Sequence, residues 1–103
     1  MKLVRFDEAA LDELFEAAAW YDAQQRGLGR QFLDELGDLI PRIGARPAAF
    51  ARLPEISSDL EIRRALLRRF PYAVVFIELE REVRVVAVEH SKRRPAYWQD
   101  RLK

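Results

Sequence analysis

Cysteine is absent from the 103 residues. That removes disulfides, thiolate metal sites and a cysteine nucleophile, and it suits a reducing cytoplasm. Histidine occurs once, at position 90. A lone histidine among scattered carboxylates lacks the spacing of a metal site, so no metal and no other cofactor is expected. Glycine is scarce, with four residues in all. They form no phosphate-cradling loop, and no serine triad motif accompanies them. Long apolar runs are missing as well. The longest covers residues 72–77, far too short to span a bilayer. The first residues, Met1-Lys2-Leu3-Val4-Arg5, carry charge where a signal peptide needs an apolar stretch. The expectation is a cytoplasmic protein with no membrane partner.

What is present is a globular balance, 50% hydrophobic against 34% charged, at a length that suits one domain over residues 1–103 with one core. The formal charge of +1 hides a division. Residues 1–60 hold seven Lys/Arg and eleven Asp/Glu, net −4, whereas residues 61–103 hold eleven and six, net +5. Of the eighteen basic residues fifteen are arginine and three lysine, and arginine's planar fork suits phosphate and carboxylate. The second half therefore reads as the part that meets an anionic partner. The plainer alternative is a solvated surface in which arginine follows genome composition.

Residues 2–6 read as a short strand, after which Asp7 can cap a helix that runs to about Gln25. Leu11, Leu14, Phe15 and Ala18 supply its apolar side; Asp12, Glu13, Glu16 and Asp22 take the outer side. Gly27-Leu28-Gly29 marks a turn. Phe32, Leu33, Leu36, Leu39, Ile40 and Ile43 then make a helical stripe over residues 30–45, with a kink expected at Pro41. The two helices form an antiparallel hairpin. Residues 46–60, with Pro47, Pro54, Ser57 and Ser58, read as a connection pinned by Phe50 and Leu53. Three strand-like runs follow, over residues 61–69, 72–79 and 82–90, separated by gaps short enough for an antiparallel meander. On the middle run Ala73, Val75, Ile77 and Leu79 are expected to face the helices, and Tyr72, Val74, Phe76 and Glu78 the open side. Pro95 suits the first turn of a short terminal helix. The fold class is α+β: β-α-α-β-β-β, an antiparallel sheet with a helical hairpin on one face and a short C-terminal helix.

That order, in a chain of this length, resembles the RelE/ParE superfamily of type II toxin–antitoxin toxins. Three segments carry the resemblance: Ala18-Ala19-Trp20-Tyr21 followed by Gly27-Leu28-Gly29 and Phe32-Leu33; the arginine-flanked run from Ile62 through Phe70-Pro71-Tyr72 to Phe76; and Val85 to His90 with Ser91-Lys92-Arg93-Arg94-Pro95-Ala96-Tyr97-Trp98. The resemblance implies a protein that inhibits growth when free and is neutralised by a cognate antitoxin in a toxin–antitoxin hetero-oligomer. One branch of the family cleaves mRNA on the ribosome; another inhibits DNA gyrase without an established catalytic constellation. Both stay open, as does a non-toxic member. The tail beyond residue 90 and the shortage of lysine lean toward the gyrase branch.

If the chain is a nuclease, His90 with Arg68 and Arg84 is the expected catalytic set. Histidine can carry either proton step at neutral pH, and arginine can stabilise the phosphate. Arg84 shares the strand parity of Val86, Val88 and His90. Arg63, Arg64, Arg69, Lys92, Arg93 and Arg94 are the expected target contacts, although alternation sends Arg63, Arg64, Arg68 and Arg69 to both sheet faces. Internal carboxylates such as Glu78, Glu80 or Glu89 are their competing partners. Leu14, Trp20, Tyr21 and Leu36 on the hairpin are the expected antitoxin-binding residues. Tyr97 and Trp98 either stack on bases or, as preferred here, pack the terminal segment back onto the domain.

Overall fold

The computed structural model describes residues 1–54, 56 and 59–102; Ser57 and Ser58, part of the expected connection, lie outside the described residues. Strand β1 (Leu3–Phe6) leads into helix α1 (Glu8–Gln24), then α2 (Leu28–Ala45). A single 3₁₀ turn, Pro47–Ala49, and a two-residue strand β2 (Ala51–Arg52) follow. Strands β3 (Ile62–Leu66), β4 (Tyr72–Glu78) and β5 (Glu82–His90) form the meander, and a 3₁₀ turn at Gln99–Leu102 stands where a terminal helix was expected. The sheet order is β1-β5-β4-β3-β2. All neighbours are antiparallel except β1, which runs parallel to β5 with Leu3 opposite Glu82 and Phe6 opposite Val85. Among the described residues no helix is long and apolar enough to cross a membrane.

Helix α1 begins where expected, but Asp7 makes no side-chain cap; its carboxylate is spent on Arg84 instead. The buried side of α1 is Ala10, Leu14, Ala17 and Ala18, whereas Leu11 and Phe15 stay largely exposed. Alanines on this side let the helices approach closely: a Cβ on Gly29 would lie 2.3 Å from the Ala18 carbonyl oxygen. The turn between the helices uses Gly27 at φ 89°, a left-handed conformation that glycine takes without strain. Asp22 accepts from the Gly27 and Gly29 amides and so closes the turn. Helix α2 runs unbroken through Pro41 to Ala45.

The facing of β4 is the reverse of the sequence expectation. Val74 and Phe76, with Tyr72 beside them, pack under the hairpin against Phe32 and Leu36. Val75 and Ile77 face the other way, into a second cluster around Trp98, Leu53 and Ile62. Residues 73–77 are all buried, so β4 offers no polar side from which its orientation could be read. The side expected to be open is covered by the residues before β3 and by the carboxyl-terminal segment.

A bulge decides the facing of β5. Val75 pairs with Ala87 but Phe76 pairs with Val85, leaving Val86 as an extra residue. Val83, Val85 and Val88 therefore share the hairpin side while Val86 and Ala87 share the other. The expected common parity of Arg84 and His90 is broken by this insertion.

Candidate functional site

The candidate site lies where β4 begins and β5 ends, since Tyr72 is paired with His90. The His90 ring meets Tyr72 edge-on at 4.9 Å. Tyr72 rests on an aromatic group formed by Phe32, Phe70 and Tyr21, with centroids 4.8–6.1 Å apart. Burial raises the Tyr72 hydroxyl pKa above its ordinary value. After His90 the chain turns sharply. The Lys92 amide donates to His90 Nδ1 at 3.0 Å and the Arg93 amide to the His90 carbonyl at 3.0 Å. An Nδ1 that accepts leaves the proton of neutral imidazole on Nε2. The same turn lays the Arg93 guanidinium over the Tyr97 ring at 3.7 Å, a cation–π contact.

Two clefts flank this His90–Arg93 wall. One, about 420 Å³, opens on the sheet face away from the hairpin and is lined by Arg64, Leu66, Pro71, Glu89, Arg93 and Pro95 among others. The other, about 350 Å³, lies against α1 between Glu13, Glu16, Trp20, Tyr21 and Tyr72. In the first cleft Glu89 is the one carboxylate, and it is engaged twice. The buried Trp98 indole donates to it at 2.7 Å, and Arg64 Nε approaches at 2.9 Å.

The carboxyl-terminal segment is held by Glu13. That carboxylate accepts from the Tyr97 hydroxyl at 2.6 Å, from Arg101 at 3.0 and 3.1 Å, and from the Val88 amide at 3.0 Å. Burial, reinforced by the bond to Glu13, drives the Tyr97 pKa far above the ordinary tyrosine value. Arg101 also donates to the Val86 carbonyl at 2.9 Å. These bonds explain how the outer edge of β5 is finished. Strand β1 covers β5 only as far as Val85, and beyond it the side chains of Glu13 and Arg101 replace a neighbouring strand.

The expected catalytic set is not brought together. Arg84 forms a two-pronged pair with Asp7 (2.8 and 2.8 Å) and donates to the Arg101 carbonyl at 2.7 Å. It sits six residues before His90, on the order of 20 Å along an extended strand, and on the opposite sheet face. Arg68 lies by α2, where its amide and that of Arg69 are both accepted by Glu35. Of the expected target contacts, Arg63 is buried; it pairs with Glu61 at 2.9 Å and donates to the Phe50 carbonyl at 2.8 Å. Arg64 and Arg93 line the open-face cleft, Arg69 is exposed near Glu35, and Lys92 and Arg94 are exposed in the turn. Of the expected antitoxin contacts, Leu14 and Leu36 belong to the core, Tyr21 is half-buried, and Trp20 is 59% exposed. Leu11 and Phe15 are also exposed, on the other flank of α1, although their spacing had read as core. Glu13, expected on the outer side of α1, and Arg101 and Asp7 form the organising ion pairs. Their only sequence signal is a carboxylate on one helix and an arginine near the end of the chain.

A hairpin on a mixed sheet, with arginines gathered at one end, defines a small α+β domain. A solved structure titled "Chromosomal ParDE TA system from P. aeruginosa" matches with a TM-score of 0.75 at 14% identity, over 89% of this chain and 98% of that one. At that identity the likeness is one of fold. The family comes from the sequence: the model described as ParE toxin of type II toxin-antitoxin system, parDE, matches residues 4–95. The chain belongs to this family of type II toxins. No curated protein matches it.

Proposed function

We propose that this toxin acts by binding its target, DNA gyrase, and not by cutting RNA. The observation that supports this reading most is the state of the three residues a nuclease would need. Arg84 is committed to Asp7 and to the terminal segment, Arg68 stands in a different cleft, and His90 Nδ1 is committed to the Lys92 amide. In-line attack by a 2′-hydroxyl needs one group to take a proton and another to return it, with a cation on the phosphate between them. His90 shares the cleft against α1 with Glu13, Glu16, Tyr21 and Tyr72, but Glu13 is committed to Tyr97 and Arg101, and burial raises the pKa of both tyrosine hydroxyls. A binding surface needs no such set, and the arginines at the His90 end serve it as they stand.

The neutralising partner in this reading is a cognate antitoxin. Leu11 and Phe15, four residues apart, give α1 an exposed apolar pair that suits the apolar side of an amphipathic helix, while Trp20 is exposed on the other flank of α1, in the cleft with Glu16 and His90.

The test is expression from a tight promoter, with mRNA 5′ ends and reporter-plasmid supercoiling measured together. Loss of supercoiling with intact mRNA is the expected result; codon-phased cuts would overturn it. His90→Ala sharpens the decision. Growth inhibition should change little, whereas loss of a proton-transfer group in a nuclease would reduce the rate roughly a hundredfold or more.

A further inference from the structure

We propose that the cleft between α1 and the His90 turn is a binding site for a free guanine nucleotide, with the base against Trp20 and Glu16 and the phosphate on Arg93. This ligand is separate from the gyrase reading, which stands or falls without it.

The cleft gathers unspent groups of both signs around aromatic rings. Its volume is about 350 Å³, and Glu16, Trp20, Tyr21, Tyr72, His90 and Arg93 line it, a size that suits a small molecule. Glu13 borders it too, but its carboxylate is taken by Tyr97, Arg101 and the Val88 amide. Glu16, by contrast, is exposed and has neither a hydrogen bond nor an ion pair among the described residues. On the basic side, the Arg93 guanidinium lies over the Tyr97 ring at 3.7 Å, and its N–H groups find no acceptor among the described residues. Lys92 and Arg94, exposed in the same turn, have no carboxylate partner there either. Trp20 is 59% exposed and meets only Tyr21, edge-on at 5.2 Å. The hydroxyls of Tyr21 and Tyr72 also make no hydrogen bond among the described residues.

One ligand must therefore meet a free carboxylate, a free guanidinium and an exposed indole together. A basic side chain would satisfy Glu16 but be repelled by Arg93, and a bare anion would do the reverse. A nucleotide is bipolar in the required sense: its base carries N–H donors, its phosphate carries the negative charge, and its flat ring stacks on an aromatic side chain. The carboxylate selects the base. An ionised glutamate only accepts hydrogen bonds. Guanine offers it two adjacent donors, N1–H and the N2 amino group, which the two carboxylate oxygens can accept side by side. Adenine and cytosine place a lone pair next to their amino group, and uracil flanks its single N–H with two carbonyls, so each turns an acceptor toward Glu16. At the other end, arginine's fork suits the phosphate. His90 adds a donor beside it, because Nδ1 accepts from the Lys92 amide at 3.0 Å and the neutral ring then carries its proton on Nε2. The tyrosine hydroxyls are left for the ribose.

The experiment titrates the free chain with guanosine 5′-monophosphate (GMP), with the adenine, cytosine and uracil monophosphates, and with guanosine, followed by NMR of the indole and backbone N–H groups. GMP should shift the Trp20 indole and the Lys92 amide along one saturable curve. The Trp98 indole, fully buried and bonded to Glu89 at 2.7 Å, should stay in place. The other three nucleotides, which lose the paired bonds to Glu16, and guanosine, which lacks the phosphate, should each bind about tenfold or more weakly, the scale of a lost hydrogen bond to a charged group. Glu16→Gln should abolish the preference for GMP over the adenine nucleotide without moving the melting temperature, and Arg93→Ala should bring GMP down to the level of guanosine. Equal affinity for all four nucleotides, or no saturable response at millimolar GMP, overturns the site. A short guanine-bearing oligonucleotide that shifts the Trp20 indole where GMP does not assigns the cleft to a nucleic-acid strand and overturns the proposal as well.

Discussion

Glu13 and Arg68 show how differently two charged side chains can serve this chain. Glu13 satisfies a sheet amide, a tyrosine hydroxyl and a guanidinium at once, with its side chain only 14% exposed. Removing it strands all three, so Glu13→Ala should cost about 2–3 kcal/mol, the scale of lost hydrogen bonds to a charged group. Urea unfolding measures this. Arg68→Ala removes an exposed side chain with no ion-pair partner among the described residues and should change stability by no more than about 0.5 kcal/mol, yet weaken partner or target binding. Arg84 belongs with Glu13. Read from sequence it was a candidate for stabilising a phosphate, but its pairing with Asp7 and the Arg101 carbonyl makes it structural. Arg84→Ala should destabilise the fold by more than Arg68→Ala in the same unfolding series. Arg63 and Arg64 on β3 and Arg69 after it are likewise paired from within, by Glu61, Glu89 and Glu35, so like-charge repulsion among these three does not demand an external anion.

Among the elements, α2 carries two residues that weaken it locally. Pro41 deletes one helical donor and frees the carbonyl of Gly37 four residues back. Both residues are exposed, so water can take up the freed carbonyl, and the helix continues without a break. A Cβ on Gly37 would meet nothing within 4 Å. Gly37→Ala should therefore stabilise the free chain by about 0.5–1 kcal/mol, the ordinary cost of a mid-helix glycine, and Pro41→Ala should raise its melting temperature as well. Gly29→Ala should do the opposite, because its Cβ would collide with the backbone of α1. Thermal melts of the three variants provide the comparison. The helix periods were legible in sequence because a hairpin with one wet side keeps its 3.6-residue pattern. The facing of β4 was not, because burial on both sides erases the two-residue alternation, and the β5 bulge is invisible until its partner strand is known.

For the molecule as a whole, alkaline pH is the revealing variable. Tyr21, Tyr72 and Tyr97 all have raised pKa values, with burial the first cause in each. In the unfolded chain these hydroxyls ionise near pH 10, while the folded chain keeps its protons. The folded state then binds more protons than the unfolded one, so stability is full below about pH 10 and falls as pH rises through the folded values. Denaturant midpoints measured from pH 8 to 11 should show this decline, and Tyr97→Phe should flatten it. By itself the sequence determined the element order, the hairpin, the meander and the family, since each rests on neighbours a few residues apart or on a run of residue types. The tertiary structure alone decided that β1 lies parallel beside β5, that Asp7 serves Arg84 and Glu13 serves Arg101, and that Arg84 and His90 part company across the sheet. Those are pairings between residues some 75–90 positions apart. Local periodicity carries no information about such distances; they are set by which edge of β5 β1 leaves uncovered and which charged side chains are near enough to finish it.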